Sequence, residues 1–328
     1  MRHITFSYVL RRLGSALFTI WVALTINFAL PRVMGGNPAD YMASQSAMGS
    51  LEYAELLKEQ FGLDKSIPEQ YFIYLKELLH GNLGISFSTF PVPVSQIILK
   101  AIPWTLMIVL VSTFISFLFA WVVGTLAALK KGSIFDNVVV GIAFYIQSIP
   151  YFWAALLMMM GLAYYLDIFP MGHAMPPGLG DLTWYEKIPK IAYHAALPIL
   201  SLVVITFAGR LIVLRSNVLQ VFSEDYIMLA QAKGLKRRTI LFKYAFRNAL
   251  LPSFTGLMLS IGLAVGGALV TEMIFSYPGI GLTILNAIYS QDYPLIQGCF
   301  AIIAISVVTM NFLADLIYPL IDPRVVVS

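Results

Sequence analysis

The sequence predicts an all-α membrane protein of six transmembrane helices with both termini in the cytoplasm, and three observations lead there. Of its 328 residues, 59% are hydrophobic and 12% charged, with a mean hydropathy of +0.80. A soluble domain carries about a quarter charged residues, and a disordered chain would show low hydrophobicity with high charge. Six stretches are apolar enough, over about 20 residues each, to cross a hydrocarbon layer about 30 Å thick. Finally, 14 of the 21 lysines and arginines fall on one side of those stretches, and such residues concentrate on the cytoplasmic side.

The first span runs from Leu13 to Leu30 behind Arg11 and Arg12. It is too long for the apolar region of a signal peptide and no small-residue cleavage site follows it, so it reads as a retained helix. The second, Ala101 to Leu129, is free of charge, and the third covers Asn137 to Leu166. The third would be about 45 Å long if straight, so it must tilt, kink at Pro150 or project beyond the bilayer. The fourth covers Ala195 to Leu214, carries Pro198 and is interrupted near its end by Arg210. The fifth runs Ala249 to Thr271, and the sixth Tyr293 to Tyr318 with Asp315 inside it. Asp315 reads as an interfacial acid or one paired within the bundle. Asn27, Gln147 and Asn311 read as interhelical hydrogen-bonding groups.

Residues 32–100 form an outer segment with structure signals of their own. Ser66-Ile67-Pro68-Glu69 combines a capping box with proline in the first turn. The helix it starts places Tyr71, Phe72, Leu75, Leu78 and Leu79 on one face, and Gly81 suits its C′ position. A shorter helix is expected over Leu51 to Gln60. The segment reads as a cap on the outer ends of the spans or as a docking surface for an external partner. The second outer loop, Asp167 to His194, is rich in proline and glycine, and its Trp184 and Tyr185 suit the membrane interface. Between spans five and six, YPGIGLTILNAIYSQDYP reads as a turn, a short apolar helix and another turn, lying on the outer surface or re-entering partway.

The chemistry-bearing motifs are few. Cys299 is the single cysteine, which excludes a disulfide framework, and it reads as a packing residue. His3, His80, His173 and His194 are scattered, with no zinc pattern and no nucleophile–base pair. No G-x-x-x-x-G-K-[ST] phosphate loop occurs, so ATP energy would have to come from a partner. The basic residues lie beside apolar spans, and nothing points to nucleic acid. A secondary carrier would place ionisable groups at the midplane and show internal repeats, and no repeat is found.

The cytoplasmic segment 215–248 is the most informative. Ser223 reads as an N-cap, Glu224 and Asp225 complement the helix dipole, Lys233 falls in the last turn, and Gly234 suits the left-handed C′ conformation. These signals outline a helix from Glu224 to Lys233, with Tyr226, Leu229, Ala230 and Lys233 on one side. A second basic helix, about Arg237 to Arg247, leads towards span five. Charge and capping alone leave open whether the segment lies on lipid headgroups or docks a protein.

Asp225-Tyr226, Ala230-Gln231-Ala232-Lys233-Gly234-Leu235 and Arg247-Asn248-Ala249-Leu250-Leu251-Pro252 resemble a signature loop of the permease subunits of dipeptide, oligopeptide and nickel ABC importers. Gln231 stands where a basic residue is common. Phe61 to Lys65 with Gly81 to Gly84, Glu272 to Gly281, Gln291 to Pro294 and Asp322 to Arg324 resemble further blocks of that family, in the same order along nearly the whole chain. The resemblance implies a type I importer permease, residues 1–328 forming one transmembrane domain in a bacterial or archaeal cytoplasmic membrane. It implies a second homologous permease, two cytoplasmic ATPases and an external solute-binding protein as partners, besides the lipid bilayer. ATP and magnesium would belong to the ATPases, with no cofactor on this chain and no catalytic role for it. Glu224, Asp225, Tyr226, Leu229, Ala230, Lys233, Gly234 and Leu235 would form the coupling element that contacts an ATPase. The cargo would be an oligopeptide or a similarly sized solute, with oligosaccharides or nickel as alternatives.

Overall fold

The computed structural model describes residues 6–33, 64–176, 178, 183–236, 239–266 and 268–321. The expected helix over Leu51 to Gln60 and the Asp322 to Arg324 block lie outside them, as do Arg237 and Arg238. The described chain is almost entirely helical. It contains α1 (Phe6–Val33), α2 (Ile67–Leu79), α3 (Val94–Leu129), α4 (Ile134–Ser148) and α5 (Tyr151–Met158), the last continued by a π-helical stretch, Met159–Tyr165. Then follow α6 (Trp184–Phe222), α7 (Asp225–Ala232), a π-helical Ile240–Ala245, α8 (Phe246–Leu263), α9 (Leu269–Ile274), α10 (Ile280–Tyr289) and α11 (Tyr293–Ile321).

Among the described residues, α1, α3, α6 and α11 are long and apolar enough to cross a membrane, and α4 and the helical stretch Tyr151–Tyr165, bent by 99° against each other, are so only when taken together. The bend falls at Pro150, which has no N–H to continue the ladder of α4 and instead opens α5. The anticipated kink is therefore a full corner. The fourth span is longer than its apolar core, 39 residues from Trp184 to Phe222, or about 58 Å of helix. Glu186 closes its first turn by accepting the Thr183 N–H at 2.9 Å. The stretch expected to be the fifth span is not one helix. α8 ends in a tight turn, Ala264–Gly266, and α9 follows as a separate piece.

The core is built where small residues let helices approach. α3 and α6 run parallel and close: a Cβ added at Gly124 would meet the Leu211 carbonyl at 3.1 Å. Ala120, Ala143, Ala208 and Leu211 form the buried junction of α3, α4 and α6. α1 runs antiparallel to α11. At one end the Asn27 amide donates to the Gln297 carbonyl at 2.8 Å; at the other the Tyr8 hydroxyl reaches the Asp315 carbonyl, and Arg12 pairs with the Asp315 carboxylate at 3.0 Å. Asp315 is thus a paired acid and Asn27 an interhelical hydrogen-bonding group.

α10 does not lie on the surface. Ile280, Ile284 and Ala287 are buried against Val94 and Ile98 of α3 and against Leu295, Ile296 and Cys299 of α11. Cys299 is accordingly a packing residue. The segment before α10 is held by Glu272, wholly buried, whose carboxylate accepts the Thr105 hydroxyl at 2.7 Å and the Leu282 N–H at 3.1 Å. A Cβ at Gly279 would overlap that carboxyl group and Thr105 Oγ1, and one at Gly281 would come within 2.6 Å of the Leu269 backbone. The spacing of Glu272, Gly279 and Gly281 is therefore a steric requirement.

Asp292 plays the equivalent part before α11, accepting from Ser86 Oγ at 2.5 Å, Ser88 N at 2.9 Å and Leu295 N at 3.1 Å.

α2 forms where expected, but Ser66 makes no side-chain cap hydrogen bond; Glu69 lies 3.7 Å from Lys65 instead. Its packed face also differs. Tyr71, Tyr74, Leu75 and Leu78 are half-buried, while Phe72 and Leu79 are exposed, because α1 offers Phe28 and Asn27 to the two tyrosines.

Candidate functional site

The segment joining α6 to α8 gathers most of the residues singled out by the sequence. α7 is shorter than expected, Asp225 to Ala232, with Glu224 in extended conformation at its N-cap. Ser223 is not that cap: it ends α6, and its hydroxyl bonds back to the Gln220 carbonyl at 2.7 Å. Residues 223 and 224 form the turn between α6 and α7, with the Glu224 N–H on the Val221 carbonyl at 3.2 Å. Lys233 is the C-cap residue rather than part of the last turn.

The C-terminal stop has the form its residues suggest. Gly234 takes φ +70°, the left-handed region that costs glycine no Cβ clash. Its N–H reaches the Gln231 carbonyl at 2.9 Å and the Leu235 N–H the Ala230 carbonyl at 3.3 Å. That pair of bonds is the Schellman motif, and Leu235 packs against the cluster containing Ala230, as the motif favours. The spacing Ala230, Gly234, Leu235 thus encodes one object: a small buried residue, a left-handed turn and an apolar residue folding back.

The faces of α7 are divided differently from the reading based on spacing. Ile227 and Ala230 are buried with Ile240 and Ala245, and half-buried Tyr226 and Leu235 join them. The Tyr226 hydroxyl accepts the Asn248 amide at 2.7 Å, tying α7 to α8. Leu229 and Lys233, expected on the same side as Tyr226 and Ala230, point the other way. Leu229 is 57% exposed, beside Met228 at 53%, and Glu224, Asp225 and Lys233 are exposed with them. Ile227 and Met228 were missed because both the Tyr226 and the Ile227 registers are plausible over eight residues; which one turns inward depends on Ile240 and Ala245, remote in sequence. A cleft of about 330 Å³ opens beside the helix between Phe222, Gln231, Leu235 and Ile240.

A second feature braces this end. Arg215 grips Asp136 at the start of α4 through two bonds, Nε to Oδ1 at 2.6 Å and Nη2 to Oδ2 at 2.7 Å. Asp136 Oδ2 also accepts the Gly132 N–H at 2.9 Å, and the Asp136 N–H donates to Ser133 Oγ at 3.2 Å. This is a bidentate pair doubling as a helix cap. The hint in sequence was the Ser133-x-x-Asp136 spacing; its partner lies 79 positions away.

At the opposite end of the bundle, a cavity of about 400 Å³ is bounded by α1, α2 and α11, with Arg32, Tyr74, Glu77 and Gln297 on its walls. Arg32 donates to the Phe28 carbonyl and to Gln70 Oε1, both at 2.7 Å. Burial pushes the Tyr74 phenol above its ordinary range, partly offset by the Asn27 amide. His194 Nδ1 lies 3.1 Å from the carbonyls of Gly172 and His173, ordinary polar roles, and no cluster suited to a metal occurs among the described residues.

These features define a polytopic helical protein with a short, rigidly backed helix presented at one end of its bundle. The chain belongs to the family described as the binding-protein-dependent transport system inner membrane component, which it matches over residues 120–327, and the associated N-terminal membrane component matches residues 5–108. The fold is that of a type I ABC importer permease. A chain of the MetNI methionine ABC transporter, solved in inward-facing conformations, superposes with a TM-score of 0.54 at 16% identity, covering 70% of this chain and 97% of that one.

Curated relatives span nearly the whole chain. The dipeptide transport system permease protein DppB of Escherichia coli K12 is 33% identical, covering 97% of this chain and 98% of its own length. The di/tripeptide permease DppB of Pseudomonas aeruginosa is 34% identical with the same coverage. The oligopeptide permease AppB of Bacillus subtilis is 33% identical, covering 97% of this chain and 99% of its own.

Proposed function

We propose that this chain forms half of the translocation pathway of an ATP-driven importer, pairing with a second permease, and that its cargo is an oligopeptide delivered by an external binding protein. The carrying observation is α7: its inner face is anchored on Ile240 and Ala245 while Met228 and Leu229 stand exposed among charged residues. An exposed apolar pair on a rigid mount suits a protein groove better than water. In this reading α7 lies in the cytoplasm, consistent with the lysine and arginine excess around it. Glu224, Asp225, Met228, Leu229 and Lys233 meet the ATPase, while Tyr226, Ala230, Gly234 and Leu235 hold the helix in place.

Movement of the ATPases would reach the bundle as a rigid-body shift, because α7 is continuous in packing with α6 and α8. ATP and magnesium remain on the ATPases. Peptide is favoured over oligosaccharide or nickel by the names of the relatives at 33–34% identity.

The experiment is purification of the intact complex from native membranes in mild detergent. A second permease and two ATPase copies are expected with the wild-type chain. The double variant Met228→Asp/Leu229→Asp is expected to retain the second permease and lose at least tenfold of the ATPase. Full ATPase recovery with that variant removes α7 as the contact, and a chain that purifies alone, folded and stable, removes the importer reading.

A further inference from the structure

Arg210 lies within the apolar run of α6, and its side chain runs along α3 to donate to the Thr113 carbonyl at 2.8 Å and to Ser116 Oγ. Those acceptors sit at the middle of α3, which spans 36 residues and is charge-free from Ala101 onwards. The guanidinium is therefore at mid-bundle height. A third bond runs to Ser260 Oγ of α8 at 3.3 Å. All three acceptors are neutral, and no carboxylate lies within ion-pair distance of Arg210 among the described residues, whereas Arg12 and Arg215 each have one.

A guanidinium has five N–H groups, and three find these acceptors. Nε–H and one donor on Nη2 are left over. Arg215 grips Asp136 with the same two nitrogens.

Arg210 also lines a groove of about 290 Å³ between α3, α6 and α8, whose other walls include Gly209, Ser253, Gly256 and Ser260. An ionised residue at such depth is costly and marks a substrate path more often than a packing position. We infer that Arg210 is a transient binding site for a carboxylate of the cargo, the C-terminal carboxylate of a peptide, as it passes along this groove. The inference rests on the peptide reading above. Three neutral bonds hold the guanidinium in position without discharging it, so an arriving carboxylate is attracted. Among the described residues no second basic side chain lines the groove, so the carboxylate can leave, as conduction requires.

The test uses the reconstituted complex in proteoliposomes, with its binding protein loaded to saturation with a tripeptide or with the same tripeptide bearing a C-terminal amide. Wild type is expected to import the acid at least tenfold faster than the amide. Arg210→Gln is expected to lower acid import tenfold or more and bring the acid-to-amide ratio near one. Arg210→Lys, which keeps the charge, is expected to retain a preference of at least threefold and serves if the glutamine variant fails to assemble.

A wild-type ratio near one, an Arg210→Gln ratio equal to wild type, or loss of preference in Arg210→Lys would each overturn the inference. Absence of peptide import by wild type would instead overturn the peptide reading.

Discussion

Replacing Asp136 with asparagine tests whether the Asp136–Arg215 pair braces the α7 end of the bundle. Asparagine is nearly isosteric. With its oxygen in the Oδ2 position it keeps the bonds from Gly132 N–H and Arg215 Nη2, but it turns an amide N–H towards Arg215 Nε, now 2.6 Å from Oδ1. One charge-assisted bond is lost, two donors are opposed, and Arg215 is left without its counter-charge. Breaking a buried ion pair from one side costs about 3–5 kcal/mol. The Asp136 side chain is 2% accessible and that of Arg215 is 23%, so water can partly rehydrate the arginine, and the lower figure, about 3 kcal/mol, applies. That is roughly a 150-fold change in the folding equilibrium.

The assay is reversible unfolding of the purified chain in mixed micelles, run as a double-mutant cycle with Arg215→Met. Asp136→Asn is expected to lose about 3 kcal/mol, Arg215→Met, which strands the less accessible carboxylate, about 5 kcal/mol, and the double variant no more than about 1 kcal/mol, because removing both charges leaves neither stranded. Additive losses, with the double variant less stable than either single one, would refute the pairing.

Two further outcomes follow from backbone geometry. Gly234→Val places a β-branched residue at φ +70° with open space around it, so the cost is backbone strain alone, about 1–3 kcal/mol; the bundle should stay folded while binding-protein-stimulated ATP hydrolysis drives at least tenfold less uptake, and unchanged uptake would remove the role given to this turn. Gly279→Ala drives a methyl group into the Glu272 carboxyl and Thr105 hydroxyl, an overpacking that costs about 1–3 kcal/mol; a micelle unfolding curve coincident with wild type would show that the α9–α10 turn is not closed on Glu272.

What the sequence determined by itself was whatever depends on neighbours within a turn or two, or on the solvent. Membrane residence follows from composition, because no soluble core could bury so much apolar surface. α2, the Schellman stop at Gly234 and the short helix before Tyr293 are local objects, specified by residues within or directly beside each of them. The corner at Pro150 was legible as a kink and not as an angle, since proline removes a donor but the packing of α5 against α6 and α9 sets the 99° bend.

Only the tertiary structure decided questions of partnership. Ile227 rather than Leu229 turns inward because Ile240 and Ala245 lie beneath it. Asp136 finds Arg215 and Glu272 finds Thr105 across 79 and 167 positions, separations at which no spacing rule acts. Arg210 showed in the sequence merely as an interruption of an apolar span. The parallel approach of α3 to α6 is what takes its guanidinium to the middle of the bundle, because a long side chain on a helix extends back towards the helix N-terminus and α3 supplies hydrogen-bond acceptors at that height.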